Sequence, residues 1–138
     1  MTRVRAWLLA CVATVLLAGC ASAGGQKDAL ERAQYAWSAA IRWGDFEGAW
    51  NLVDPEYREA HPLTDVQLAR YSQIQVSSYR DMAAEAGSAT AARQVQIGVI
   101  NRHTMAERTL RYTEEWRYDE TARTWWITGG LPDFWAGE

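Results

Sequence analysis

The sequence predicts an α+β domain in which N-terminal helices pack on one face of a curled antiparallel β-sheet. In the first half of the chain, apolar residues recur at helical spacing, as at Leu30, Trp37 and Ile41. In the second half, apolar and polar residues alternate with the period of a strand, most regularly over 110–118. Neither layer buries its apolar side alone, so the helices are expected to cover one face of the sheet.

Three helices are predicted before the sheet. The first begins at Asp28, an N-cap with a glutamate three residues later, and ends at Gly44. The second covers 45–53, where an aspartate starts the apolar pattern again and Asp-Pro follows it. The third covers 64–74 and has the clearest start, because a threonine followed three residues later by a glutamine makes a capping box.

Four strands are predicted after the helices. The first begins at Val76, and the second covers 93–100, where Gly98 predicts a bulge or bend. The third covers 110–118 and is joined by a hairpin to the fourth, over 124–128. The order of the elements favours a single domain.

The first 19 residues have the features of a secretory signal peptide. Arg3 and Arg5 precede the apolar segment 6–17, which is shorter than the ~20 residues needed to span a bilayer. Residues 17–20 then read Leu-Ala-Gly-Cys, which resembles the lipobox of bacterial lipoproteins. An ordinary signal peptide with an incidental cysteine is the alternative.

The lipobox resemblance implies that the thiol of Cys20 receives a diacylglycerol and that the signal is cut off before it. Two or three acyl chains anchor a protein stably to a membrane. Ala21, rather than aspartate, follows Cys20, which implies carriage to the outer membrane, facing the periplasm. Residues 20–27 would then be a lipidated cysteine with a flexible tether, and 28–138 one α+β domain.

Composition restricts what the mature domain does. Of the 138 residues, 119 remain after the signal is removed, enough for one domain with a real core. Two of the 14 basic residues and none of the 17 acidic ones leave with the signal, so the mature formal charge is −5. An acidic domain is a poor binder of nucleic acid. Cys11 leaves with the signal and Cys20 would carry lipid, so we expect no disulfide.

The last strand and the C-terminal tail bring several large aromatic residues together. Trp125 and Trp126 are adjacent on one predicted strand, so they are expected to point to opposite faces of the sheet. One belongs in the core, and the other needs cover or an interaction partner. Phe134 and Trp135 follow a flexible Gly-Gly pair, and we expect them to fold back over the domain.

Residues 36–57, "AWSAAIRWGDFEGAWNLVDPEY", are followed by a third helix and by paired strands that end in "WWI". This arrangement, over about residues 28–130, resembles the cone-shaped nuclear transport factor 2 like superfamily. The superfamily includes ketosteroid isomerase and scytalone dehydratase. The resemblance implies a cone whose interior, between helices and sheet, holds any active site.

The candidate pocket centres on Glu114. Its neighbours on the predicted strand face include Tyr112 and Trp116, an aromatic setting that raises the pKa of a carboxyl group by desolvation. Tyr112, with Tyr35 and Tyr71 on the helices, would supply hydroxyl donors. The alternative is a carboxylate at the mouth of the cone that is paired with an arginine or hydrated. No catalytic residue of the superfamily is carried over to this chain.

The sequence predicts neither a metal site nor a cofactor. His61 and His103 are far apart in the sequence, and no cluster of further ligands accompanies them. The sequence contains no nucleophile elbow, phosphate loop or dinucleotide fingerprint.

Three classes of function fit these features. The lipid anchor and the lack of a polar constellation favour a non-catalytic binding or scaffold module that recognises a component of the cell envelope. The first alternative is a protein that binds a small apolar ligand. The second is an enzyme that uses a pocket carboxylate for proton transfer, which these features favour least.

Overall fold

The computed structural model describes residues 24–136 of the chain. The predicted signal, the lipobox and Cys20 lie outside the described residues. Helices come first and strands follow: α1 (24–43), α2 (Phe46–Trp50), α3 (Pro55–Ala60), α4 (Asp65–Tyr71), β1 (Ile74–Ala86), β2 (Thr90–Asn101), β3 (Glu107–Asp119) and β4 (Thr124–Ile127).

The four strands form one open antiparallel sheet in the order β1-β2-β3-β4. Residues of β2 and β3 alternate between buried and exposed positions, so one face of the sheet is packed and the other is wet. The helices supply their apolar side chains to the packed face. The α+β class with N-terminal helices is as predicted.

The predicted irregularity near Gly98 lies on the neighbouring strand. The register between β1 and β2 shifts between Val76 and Ser78, and Ser78 pairs with Gly98. A Cβ atom on Gly98 would lie 2.5 Å from the hydroxyl oxygens of Ser77 and Ser78. Glycine is therefore required because the bulged strand comes close to it, not because β2 itself bulges.

The helix boundaries show one confirmed signal and one that was missed. The Thr64–Gln67 capping box is present at the start of α4. The helix α3 was not predicted, although Asp54 caps it and Pro55 occupies its first turn. A proline after an N-cap residue is favourable at a helix start, so the Asp-Pro pair both ends α2's segment and begins α3.

The helix α1 includes residues 24–27, which the sequence analysis placed in the flexible tether. Gln26 on this helix is hydrogen-bonded to the turn between β1 and β2 and to β4. The side-chain nitrogen of Gln26 donates to the carbonyl of Ser88 at 3.0 Å, and the indole of Trp125 donates to the carbonyl of Gln26 at 3.0 Å. These contacts join parts of the chain that are far apart in sequence, so a local sequence pattern does not predict them.

The core lies between the helices and the packed face of the sheet. Its buried aromatic and aliphatic side chains come from both layers: Leu30, Trp37, Ile41, Phe46, Val53, Ile74, Tyr79, Val95, Ile97, Val99, Trp116, Trp125, Ile127 and Phe134. Trp125 is buried and Trp126 is half-buried on the opposite side of β4, which confirms the predicted alternation.

The C-terminal tail folds back as predicted. Phe134 is fully buried, and its ring centroid lies 5.8 Å from that of Phe46 and 5.7 Å from that of Tyr71. Trp135 packs beside Tyr71 at 5.2 Å, and the guanidinium of Arg70 lies 4.0 Å above its ring centre. The tail thus covers the α2–α4 end of the core.

Among residues 24–136, no helix combines the length and the apolar character that crossing a bilayer requires.

Candidate functional site

The fully buried carboxylate of Glu114 is the centre of a charged cluster on the packed face of β3. One of its oxygens, Oε1, accepts hydrogen bonds from the Tyr79 hydroxyl and, at 2.8 Å, from Arg93 Nη2. The other, Oε2, accepts from Arg93 Nε at 2.9 Å and from the indole nitrogen of Trp116 at 2.9 Å. Each oxygen thus has two donors, which fills the acceptor capacity of an ionised carboxylate.

Arg93 reaches Glu114 from β2, where the two residues are directly paired across the β2–β3 ladder. Its two bonds to the carboxylate form the bidentate arrangement that suits a guanidinium. The remaining donors of Arg93 reach the carbonyl of Gln34 on α1 at 3.2 Å and a carboxylate oxygen of Asp81 on β1 at 3.4 Å. Arg93 therefore joins three elements around one buried negative charge.

The protonation states follow from this arrangement. Burial and then the negative charge of Glu114 raise the pKa of Tyr79, so its hydroxyl keeps its proton and donates it. Burial acts to lower the pKa of Arg93, but the hydrogen bonds and charge of Glu114 outweigh it, and the pKa is raised. Arg93 therefore stays protonated beside the Glu114 carboxylate, and the Tyr79 hydroxyl stays neutral.

The residues of the sequence-predicted pocket lie in different surroundings. Trp116 touches Glu114 directly. Tyr112 is half-buried and donates to the carbonyl of Gly130 at 3.1 Å, and Tyr71 donates to the carbonyl of Pro132 at 2.9 Å. Tyr35 is 76% exposed. The structure therefore does not bring these three tyrosine hydroxyls together on Glu114.

Pairing of Glu114 with an arginine was the alternative expected from the sequence, and it is present, but neither Arg93 nor Tyr79 was identified as the partner. Arg93 is in phase with Val95 and Ile97, which face the core, and a cation in that phase is the signal for a buried ion pair. Glu114 has the same property on β3. When two neighbouring strands carry opposite charges at core-facing positions, the two residues are expected to form an ion pair.

An open depression of about 460 Å³ lies above the cluster, between α1 and the sheet. It is lined by polar side chains: Glu31, Gln34, Tyr35, Ser38, Arg42, Tyr79, Asp81 and Arg93. Glu114 is not among the residues that line it. Arg93 and Tyr79 separate the Glu114 carboxylate from the opening. The floor of the depression is therefore formed by these two hydrogen-bond donors and not by the carboxylate.

The exposed side of the sheet carries two further shallow depressions, of about 560 and 390 Å³. Glu85, Ala92 and Glu115 contribute to both, so the two are continuous. Ala92 offers little side-chain bulk between two carboxylates. This groove, defined by Glu85, Ala92 and Glu115, is hereafter the sheet groove.

Within the described range, no three His, Cys, Asp or Glu residues are grouped so that they could hold a metal ion. His61 stacks on Tyr57 with ring centroids 4.4 Å apart, and His103 lies in the β2–β3 connection.

Comparisons with known proteins support the fold alone. No family model matches the chain, and no curated protein matches it. The solution structure of a SEC-C motif containing protein from Rhodopseudomonas palustris is similar, with a TM-score of 0.56 and 16% sequence identity. The match covers 70% of this chain and 72% of that one.

This comparison corrects the family expected from the sequence. The similar structure belongs to a SEC-C motif containing protein, so the identification of the folded domain as nuclear transport factor 2 like is wrong. Helices followed by an antiparallel sheet are compatible with more than one family, because the pattern reflects only how two layers bury their apolar sides. Lipidation of Cys20 concerns residues outside the described range and stays a prediction.

Proposed function

We propose that this chain is a non-catalytic binding module of the bacterial cell envelope, tethered to a membrane through Cys20. The observation that carries the proposal is the sealed carboxylate of Glu114. A general acid or base must reach its substrate by a hydrogen bond. The two oxygens of Glu114 are instead occupied by four donors from Tyr79, Arg93 and Trp116.

The packing around Glu114 favours a binding module over a protein that encloses a small apolar ligand. Trp37 fills the space between helices and sheet, with ring centroids 6.5 Å from Tyr112 and 6.3 Å from Trp116. Phe134 from the tail fills the α2–α4 end. Aromatic side chains thus occupy the volume in which an apolar ligand would be enclosed.

The sequence supplies the membrane part of the proposal. The segment Leu-Ala-Gly-Cys at 17–20 follows a basic start and a short apolar run, the arrangement from which Cys20 would be acylated. Ala21 after the cysteine supports the outer membrane, facing the periplasm, as the location.

The sheet groove is the binding surface that we propose. It lies on the face of the sheet that the helices leave open, and Glu85 and Glu115 give it a negative character. Arg117 beside them is engaged elsewhere, because it donates to Asp54 at 2.6 and 2.9 Å. A polypeptide segment of an envelope protein that presents a basic side chain fits this chemistry.

Site-specific photocrosslinking in cells tests the binding surface. A photoreactive amino acid at Gln94, which lines the groove, is expected to capture one defined protein. The matched control carries the same amino acid at Val66, which is 79% exposed on α4. Glu115→Lys should abolish the Gln94 crosslink by charge reversal. Identical crosslinks from Gln94 and Val66, or a Gln94 crosslink that survives Glu115→Lys, would refute the groove.

Metabolic labelling with palmitate tests the tether. The natural chain should incorporate label, and Cys20→Ser should accumulate as unlabelled precursor. Cys11→Ser is the control, because Cys11 lies inside the signal and should not affect labelling. Normal labelling of Cys20→Ser would refute acylation at this residue.

A further inference from the structure

Two large aromatic side chains on α1 point into solvent. Tyr35 is 76% exposed and Trp43 is 84% exposed. They are eight residues apart with Ala39 midway, so the three lie in one row about 12 Å long on the helix surface. The core-facing residues of α1, among them Trp37 and Ile41, lie on the other side of the helix. This row, Tyr35–Ala39–Trp43, is hereafter the aromatic row.

The chain before α1 brings the aromatic row close to the proposed anchor. Three residues separate Cys20 from residue 24, the first described position of the helix. At about 3.5 Å per extended residue, an acylated Cys20 keeps residue 24 of α1 within about 14 Å of its point of attachment. The bilayer is therefore the surface that the aromatic row meets at the highest effective concentration.

The start of α1 also moves with the rest of the domain. Gln26 is hydrogen-bonded to Ser88 in the turn between β1 and β2 and to Trp125 on β4, both at 3.0 Å. A lipid anchor at Cys20 would therefore hold the whole domain near the membrane, because Gln26 on α1 is bonded to the rest of the domain.

The charges around the aromatic row favour an uncharged mode of contact. The exposed charges of α1 are nearly balanced, with three cations, Lys27, Arg32 and Arg42, and two anions, Asp28 and Glu31. Attraction to anionic lipid is therefore weak, whereas tryptophan and tyrosine prefer the boundary between lipid headgroups and acyl chains.

We propose that Tyr35 and Trp43 dock α1 against the lipid bilayer, with both rings in the interfacial layer. This inference rests on the proposed lipid anchor at Cys20. Because α1 packs on the inner face of the sheet, docking turns the sheet groove away from the membrane and toward the periplasm. The anchor then limits the distance between the domain and the bilayer, and the aromatic row sets the orientation of the domain on it.

Quenching by brominated lipid tests the docking. The protein is expressed from the full-length chain, purified from bacterial membranes in detergent and reconstituted in phosphatidylcholine vesicles brominated near the headgroup. Mass spectrometry on the same sample reports whether Cys20 is acylated. Trp43→Phe keeps an aromatic ring but removes the reporter, so it should lose much of the bromolipid-dependent quenching. Trp126→Phe, on the opposite side of the molecule's sheet, is the control and should retain it.

The contribution of the second ring is measured with Trp43 in place. Tyr35→Ser should weaken the quenching of Trp43 without lowering the melting temperature, because the side chain is largely exposed. Added salt should change the quenching little, since the exposed charges of α1 are nearly balanced.

The outcomes separate the two proposals. Acylated protein in which Trp43→Phe quenches like the natural chain would overturn docking and leave the anchor intact. Protein that carries no lipid and does not sediment with vesicles would overturn the anchor, and the docking that depends on it falls as well.

Discussion

Glu114 and Arg93 stabilise the fold chiefly through their dependence on each other. Isolated charges are costly to bury, and a buried pair repays that cost only when its geometry is good and its remaining polar atoms are bonded. Both conditions are met here, because each carboxylate oxygen has two donors and Arg93 also reaches Gln34 and Asp81. The pair therefore specifies how β1, β2, β3 and α1 fit together.

Removing one partner of the pair should be far worse than removing both. We expect Glu114→Ala to lower the free energy of unfolding by about 3–5 kcal/mol, since it leaves Arg93 buried without its counter-charge. Glu114→Met and Arg93→Met should each lower the free energy of unfolding when made singly. The double Met variant should lose less than the sum of these two losses. Urea denaturation of the natural chain, the two single Met variants and the double Met variant measures these free energies of unfolding.

The neighbouring Glu115→Ala is the matched control for this cycle. Glu115 is exposed on the other face of β3, so the change should stay within about 0.5 kcal/mol. Additive losses in the Met cycle would show that Glu114 and Arg93 are not coupled.

At the scale of secondary-structure elements, the C-terminal tail connects α4 with β3. Tyr71 on α4 donates to the carbonyl of Pro132, and Tyr112 on β3 donates to the carbonyl of Gly130. Between these two bonds and the burial of Phe134, the tail holds a helix and a strand together. Gly130 adopts a positive φ of 77°, where a Cβ atom would lie 2.8 Å from the Tyr57 ring.

Truncation of the buried ring tests the role of the tail. Phe134→Ala should cost about 3–5 kcal/mol of unfolding free energy and lower the melting temperature by several degrees, because it leaves a cavity between Phe46 and Tyr71. Val66→Ala, at an exposed position on α4, serves as the control and should have little effect. A Phe134→Ala melting curve that overlays the natural one would mean that the tail is dispensable.

What the sequence predicts about the elements depends on whether the signal is local. The capping box of α4, the alternation of β3 and the apolar tail are local patterns, and the structure follows them. The hydrogen bonds of Gln26 on α1 with Ser88 and Trp125 join residues 62 and 99 positions apart in sequence, and a local pattern does not reveal them. The partner of Glu114 likewise depends on strand register, which alternation alone leaves open.

At the scale of the molecule, one layer of helices and tail closes one face of the sheet and leaves the other open. The buried charge cluster, the aromatic interior and the tail all lie on the closed side. The sheet groove lies on the open side, and the aromatic row lies on the outer surface of α1. The proposed anchor, the aromatic row and the sheet groove therefore occupy separate parts of the molecule. Each can be mutated without changing the other two.

The same closed side makes the whole domain sensitive to high pH through three tyrosine hydroxyls. Tyr71, Tyr79 and Tyr112 each donate a hydrogen bond from a partly or fully buried position. Burial, and next the charge of Asp133, raises the pKa of Tyr71 to about 12. Burial, and next the charge of Glu114, also raises the pKa of Tyr79 and that of Tyr112.

The direction of the pH effect follows from proton counting. Above about pH 10 the unfolded chain loses these phenolic protons, while the folded chain keeps them. Their contribution to stability is therefore complete below about pH 10 and is lost as pH rises toward the folded-state pKa values. We expect the urea midpoint to fall between about pH 10 and 12, and to fall less steeply in Tyr71→Phe. Tyr35→Phe, at an exposed position, should follow the natural protein. If Tyr71→Phe and the natural chain give parallel curves over this range, the Tyr71 hydroxyl does not contribute to the alkaline transition.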